Sequence, residues 1–133
     1  MATKPDLGVI SDQIGTPTYA QGLAKACIAS IAQQVTGIHH YTDTGVASWF
    51  DFAVAIQNIA LELGLLDTKI TLKPITTAQY PTAAKRPPYS VLDKSSLVNA
   101  LPELSLMHWQ TQLRVMMIAL KAEREAELAK FIN

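Results

Sequence analysis

Hydrophobic positions along the 133-residue chain change their spacing several times, and each change marks an element. Leu7 to Gln13 carries Val9 and Ile10 in a short apolar run, which predicts a strand ended by the turn cluster Gly15-Thr16-Pro17-Thr18. Ala20, Leu23, Ala24, Cys27, Ile28 and Ile31 then recur at three- and four-residue steps, the spacing of an amphipathic helix with Thr18 as its N-cap. Gly37 closes that connection, Ile38 to Thr42 reads as a second strand, and Asp43-Thr44-Gly45 as a turn. The next helix has the clearest pattern: Trp49, Phe52, Ala53, Ile56, Ile59, Ala60 and Leu63 form one stripe. Ser48 and Asp51 supply a short-armed capping box at its start and Gly64 a stop at its end. Core packing accounts for Trp49 and capping for Asp51.

Ile70 to Leu72 predicts a third short strand, ended by Pro74. Pro81, Pro87 and Pro88 keep the following stretch extended as far as Tyr89, because each proline pushes its predecessor out of the helical region. Its Tyr and Thr content favours a segment packed on the surface of the domain. A short strand at Tyr89 to Leu92 and a short helix near Ser95 to Leu101 follow, with Pro102 as the stop. The last helix starts near Met107 and runs towards Phe131, with Trp109, Leu113, Met116, Met117 and Leu120 as its packed part. Lys121 and Glu125 are spaced to pair one turn apart on its polar end. This order of elements predicts an α/β fold with about four helices and several short strands. The expected organisation is a domain over residues 1–120 and a helical polar tail over 121–133.

Charge narrows the function classes. Eleven basic and eleven acidic residues give a net charge of zero, so no electrostatic footprint for nucleic acid or an anionic membrane is expected. No apolar run approaches the roughly 20 residues of a membrane span, and Met1 to Asp6 has no signal-peptide core. Cys27 has no second cysteine to pair with, and it sits in the apolar stripe of the first helix as a small packed hydrophobe. These features place the expected location in the cytoplasm.

Familiar chemistry is largely missing. The six glycines never form Gly-x-Gly-x-x-Gly, and there is neither a Gly-Lys-Ser/Thr segment nor a Gly-x-Ser-x-Gly elbow. His39 and His40, adjacent on a predicted strand, would point to opposite faces and could not easily share a metal. Two loops hold polar residues able to converge on a ligand. One is Ser11 to Thr18, between a strand and a helix N-terminus, where ligands of open α/β sheets collect. The other is Lys85-Arg86-Pro87-Pro88-Tyr89-Ser90, whose arginine can take two oxygens of a phosphate at once. Capping and turn formation explain the first loop equally well, and an ion pair would explain Arg86.

The same loops carry a family likeness. Val9-Ile-Ser-Asp-Gln-Ile-Gly-Thr-Pro-Thr18 resembles the V-V-x-D-Q-x-G-x-P-T segment of dTDP-4-dehydrorhamnose reductases. Gly37-Ile-His-His-Tyr-Thr42 with Ser48-Trp-Phe-Asp-Phe-Ala53 is similar to that family's G-I-Y-H-Y and S-W-Y-D-F-A. Pro74 to Thr82 and Ala84 to Asp93 resemble its P-I-x-T-x-x-Y-P-T and R-P-x-Y-S-x-L-D, and Leu106 to Leu113 its closing L-P-x-W-x-x-x-L. The likeness covers residues 9–113 in order.

The resemblance implies the C-terminal, substrate-binding part of an extended short-chain reductase, in which NADPH or NADH reduces the 4-keto group of a dTDP-6-deoxy-hexulose to give dTDP-L-rhamnose. It places Gln13, Gly15, Thr16, Pro17 and Thr18 near the nicotinamide and sugar-nucleotide cleft, and Arg86 with Ser90 near the diphosphate. The family's Tyr-x-x-x-Lys pair has no counterpart here: four residues beyond Tyr19, Tyr41, Tyr80 and Tyr89 stand Leu23, Gly45, Ala84 and Asp93. The resemblance therefore implies a dTDP-sugar as ligand, an N-terminal dinucleotide-binding half as partner, no catalytic residue within these 133 residues and no cofactor bound by this chain alone. Gln21 stands where some members carry a magnesium-binding glutamate at a dimer interface, so no metal ligand is carried over. Two other readings stay open, a freestanding nucleotide-sugar binding module and a fragment that associates with itself or with a separate reductase half.

Overall fold

A computed structural model describes residues 6–132. Its elements begin with β1 (Asp6–Ile10), β2 (Ile14–Gly15), α1 (Ala20–Ala32) and β3 (Ala47–Ser48). They continue with α2 (Trp49–Glu62), β4 (Thr71–Ile75), a 3-10 turn at Thr77–Gln79, α3 (Ser95–Ala100) and α4 (Trp109–Ile132). The α/β class and the four helices match the expectation from sequence.

β1 and β4 pair in parallel, from Asp6 opposite Thr71 to Ile10 opposite Ile75. The predicted third strand does not stop at Pro74, which lies inside β4 opposite Val9. Ser11 N–H donates to the Ile75 carbonyl, so Ile75 faces β1 and its neighbour Pro74 faces the open edge. A missing N–H costs nothing on that side. A second, antiparallel ladder joins Ile14 to Ser48 and Gly15 to Ala47.

α2 forms as its sequence dictates. The Ser48 hydroxyl accepts from Asp51 N–H at 3.0 Å while the Asp51 carboxylate accepts from Ser48 N–H at 3.0 Å. At the other end, Gly64 adopts φ +68°. Its N–H donates to the Leu61 carbonyl and that of Leu65 to the Ala60 carbonyl, which is the Schellman closure that favours glycine. The inner face packs on α4: Ala47, Ile59, Ala60, Trp109, Leu113 and Met117 form the larger core cluster. Phe52 meets Trp109 edge-on, with centroids 6.0 Å apart. Full burial of a side chain of this kind contributes roughly 1.5–3 kcal/mol.

Four further expectations are corrected. Ile38 to Thr42 forms no strand; the segment is irregular, and His39 hydrogen-bonds instead to Ser96 Oγ and the Thr36 carbonyl. The predicted strand at Tyr89 to Leu92 reduces to one parallel bridge between Tyr89 and Ile14. Thr18 does not cap α1: Tyr19 is its N-cap, and the Thr18 hydroxyl donates to the Thr16 carbonyl.

The fourth correction concerns which face of α1 is inward. The helix docks through Ala26 and Ala29 onto Leu97 and Leu101, and Gly22 on the same face makes room for the Tyr41 hydroxyl. At 100° per residue this small-residue face lies opposite the bulky stripe, because small side chains allow the close approach. Leu23, Ile28 and Ile31 are consequently exposed, and so is Cys27, which is not the packed hydrophobe expected.

Candidate functional site

β2 is only two residues long, yet it joins the two loops singled out in the sequence. On one side it pairs with β3, which leads directly into α2. On the other, Ile14 N–H donates to the Pro88 carbonyl and Ser90 N–H donates to the Ile14 carbonyl, each at 2.8 Å. These bonds bring Arg86 and Ser90 beside a loop more than 70 residues earlier in the chain. The two loops approach closely here: a Cβ on Gly15 would lie 3.1 Å from Ser90 Oγ.

Between the loops and the start of α2 lies a cavity of about 400 Å³, within the usual range for small-molecule sites. Gln13, Gly15, Thr16, Pro17, Arg86 and Ser90 all line it. Thr18 does not; it borders a separate cavity of about 90 Å³.

The loop is held rigidly from outside. The Asp12 carboxylate accepts from Thr77 N–H at 2.9 Å and from the Thr77 hydroxyl at 2.7 Å. These two donors, the backbone one first, hold the Asp12 carboxyl below its usual pKa. Gln13 is buried and donates through Nε2 to Thr77 Oγ1 at 3.1 Å, which leaves its amide oxygen unbonded among the described residues. The Thr16 hydroxyl donates to the Gly45 carbonyl at 2.9 Å. Behind the loop, the fully buried Asp43 accepts from Tyr19 N–H at 3.0 Å and so anchors the start of α1. Burial, and then the charge of Asp43, push the Tyr41 phenol up.

The electrostatics are one-sided. No Asp or Glu lines the cavity, and Arg86 makes no hydrogen bond or ion pair among the described residues. The ion pair that would have explained Arg86 without a ligand is therefore absent there. The remaining polar lining consists of hydroxyls and the Gln13 amide, groups that bind and orient rather than transfer protons. Among the described residues no three His, Cys, Asp or Glu side chains gather as metal ligands.

Sequence reasoning missed part of the wall. Ser48, Trp49 and Phe52 contribute it from the start of α2, and Trp49 is 57% exposed rather than packed in the core. Its place in the apolar stripe concealed this. The contrary signal was Ser48: an N-cap puts Trp49 in the first turn, at the rim of the helix interface rather than its centre.

A family model described as the RmlD substrate binding domain matches residues 1–122. A dTDP-4-dehydrorhamnose reductase of Aggregatibacter actinomycetemcomitans is 39% identical over 115 residues, covering 81% of this chain and 38% of that protein. The spore coat polysaccharide biosynthesis protein SpsK of Bacillus subtilis is 38% identical over 113 residues, covering 84% and 36%. The chain thus spans well under half the length of these relatives. Among solved structures, a dTDP-4-dehydrorhamnose reductase of Clostridium acetobutylicum superposes with a TM-score of 0.77 at 33% identity, covering 90% of this chain and 40% of that one. The Bacillus anthracis reductase, solved in complex with NADP, gives 0.74 at 28% identity, covering 87% and 39%. No helix among the described residues is long and apolar enough to cross a membrane.

Proposed function

The chain belongs to the RmlD substrate-binding domain family, and from that premise we propose that its cavity holds the dTDP-sugar substrate of a dTDP-4-dehydrorhamnose reductase. The observation that carries this reading is the unpaired guanidinium of Arg86 in a cavity without a carboxylate. Such a group takes a diphosphate in bidentate fashion. Ser90 stands beside it, while the Gln13 amide and Thr16 hydroxyl on the facing loop offer hydrogen bonds to the sugar. Gly15 and Pro17 keep that loop close and stiff, and Thr18 supports it from behind through Thr16.

The complete reaction would also need a nicotinamide cofactor, NADPH or NADH, as the hydride donor to the 4-keto group of dTDP-6-deoxy-L-lyxo-4-hexulose. The residues of this chain do not fit that cofactor: the sequence has no glycine-rich phosphate loop and no Tyr-x-x-x-Lys pair. Holding the dinucleotide and protonating the carbonyl oxygen fall to a separate N-terminal half. This chain binds and orients the sugar nucleotide for it, and alone it turns over no ketone.

Calorimetry with dTDP tests the reading. Binding by the wild-type chain, weakened about tenfold or more in Arg86→Ala, is the expected result, since hydrogen bonds to charged groups contribute about 1.5–3 kcal/mol. Absence of binding by the wild-type chain overturns it. A second reading, association with a copy of itself or with a reductase half, is favoured by one specific observation: the exposed Leu23, Ile28 and Ile31 face of α1.

A further inference from the structure

A glutamine amide can turn either its oxygen or its nitrogen to a ligand, and the two ends have nearly the same shape. For Gln13, the contacts behind the cavity decide which end faces in. The Thr77 hydroxyl has a single proton, which it donates to Asp12 Oδ1 at 2.7 Å. Asp12 cannot return it. The N–H and hydroxyl of Thr77 hold its carboxyl below the usual pKa, so at neutral pH it is ionised and only accepts. Thr77 Oγ1 is left with lone pairs alone and can meet only the nitrogen of Gln13, as it does at 3.1 Å. Reversing the amide would set two oxygens face to face.

Gln13 lines the cavity and Thr77 does not, so turning the nitrogen to Thr77 turns the oxygen towards the cavity. That oxygen has no partner among the described residues, yet it is not sealed off. Asp43 Oδ1 is the only enclosed side-chain polar atom among them that lacks a partner. Gln13 itself is 9% exposed, which leaves its amide little room to reorient. Resting on the reading that a dTDP-sugar occupies this cavity, we propose that Thr77 is a positioning residue. Held by Asp12, it fixes the Gln13 amide with its oxygen inward, as an acceptor for a hydroxyl of the sugar. A carbonyl oxygen placed against the same atom would be repelled, so the 4-keto group of the substrate points away from Gln13. Thr77 touches no ligand and acts only through Gln13.

Calorimetry with dTDP and with dTDP-L-rhamnose separates this role from general support of the loop. Thr77→Val removes the hydroxyl and keeps the N–H that Asp12 accepts. It should weaken dTDP-L-rhamnose about 3- to 10-fold, the scale of one neutral hydrogen bond, and leave dTDP unchanged. Retained dTDP binding also shows that the variant is folded. Thr77→Ser restores the hydroxyl and should restore the wild-type affinity. Gln13→Met should lose as much as Thr77→Val, and the double variant no more than Gln13→Met, because one residue acts through the other. Equal losses for the two ligands in Thr77→Val overturn the proposal by making Thr77 a support of the whole loop. Unchanged dTDP-L-rhamnose affinity in Thr77→Val, or a Thr77→Ser variant no better than Thr77→Val, also overturns it; either leaves the proposed function standing. Failure of the wild-type chain to bind dTDP at all is the separate outcome that removes the proposed function, and this inference with it.

Discussion

Asp12 and Thr77, 65 residues apart, are joined by three contacts: both Asp12 carboxylate oxygens accept from Thr77 N–H, and Oδ1 also accepts from its hydroxyl. Thr77 in turn accepts from Gln13 Nε2. Thr77, two residues beyond the end of β4, thereby fixes the loop that follows β1, and the parallel pairing of the two strands brings these ends together.

The pH dependence follows from that clasp. Thr77 lowers the folded-state pKa of Asp12, so its contribution to stability is fully present above the ordinary carboxylate value of about 3.9 and is lost as pH falls through the lower folded value. Asp51, held down by Ser48, behaves the same way. Thermal melts should therefore show stability falling below about pH 4. Asp12→Asn should flatten part of that fall, and an unchanged acid limb in this variant would contradict the role given to the clasp.

Gly45 sits at φ +83°, and a Cβ there would collide with the His108 imidazole. The neighbouring backbone cannot yield freely, since Thr44 N–H donates to the Met107 carbonyl and Trp109 N–H to the Thr44 carbonyl. Gly45→Ala should cost about 1–3 kcal/mol in chemical denaturation, from the left-handed backbone and the clash together. Adding His108→Ala should recover the clash and leave the backbone strain. A double variant no more stable than Gly45→Ala would show that the imidazole is not the obstacle.

Asp43 is 1% exposed and anchors Tyr19 N–H at the head of α1, directly behind the Thr16–Thr18 turn. Asp43→Ala leaves that donor without its partner and should cost about 1–3 kcal/mol. Asp43→Asn keeps a carbonyl acceptor and should cost less. Urea denaturation of the two variants decides it, and an equal loss in both would assign the effect to charge.

The outer face of α1 gives a contrasting expectation. Ile31 is 78% exposed, so Ile31→Glu should change stability by less than about 0.5 kcal/mol. If the face serves association, light scattering should show a smaller assembly in this variant than in the wild type. A wild-type chain that stays monomeric at high concentration would remove the association reading.

Local signals carried much of the fold. Ser48, Asp51 and Gly64 bounded α2 because capping and a left-handed stop are chemistry of adjacent residues. Long-range relations were not legible. Periodicity predicts the apolar stripe of α1 but cannot say which face has a partner, and the small face formed by Gly22, Ala26 and Ala29 takes the inward role. Pro74 looked like a strand end because the sequence does not reveal that its N faces an open edge. At the site, both polar loops were visible as loops, whereas their meeting depends on Ile14 bonding to Pro88 and Ser90. Trp49 was hidden by its own hydrophobicity.

The most direct test of the central claim is a titration of the isotopically labelled chain with dTDP, followed by backbone amide chemical shifts. Shifts should concentrate at Gln13 to Thr16, at Ser48 and Trp49, and at Arg86 and Ser90, and should largely vanish in Arg86→Ala. Saturating dTDP that leaves these amides unmoved, or moves only residues of α1 and α4, would contradict a nucleotide-sugar site between the two loops.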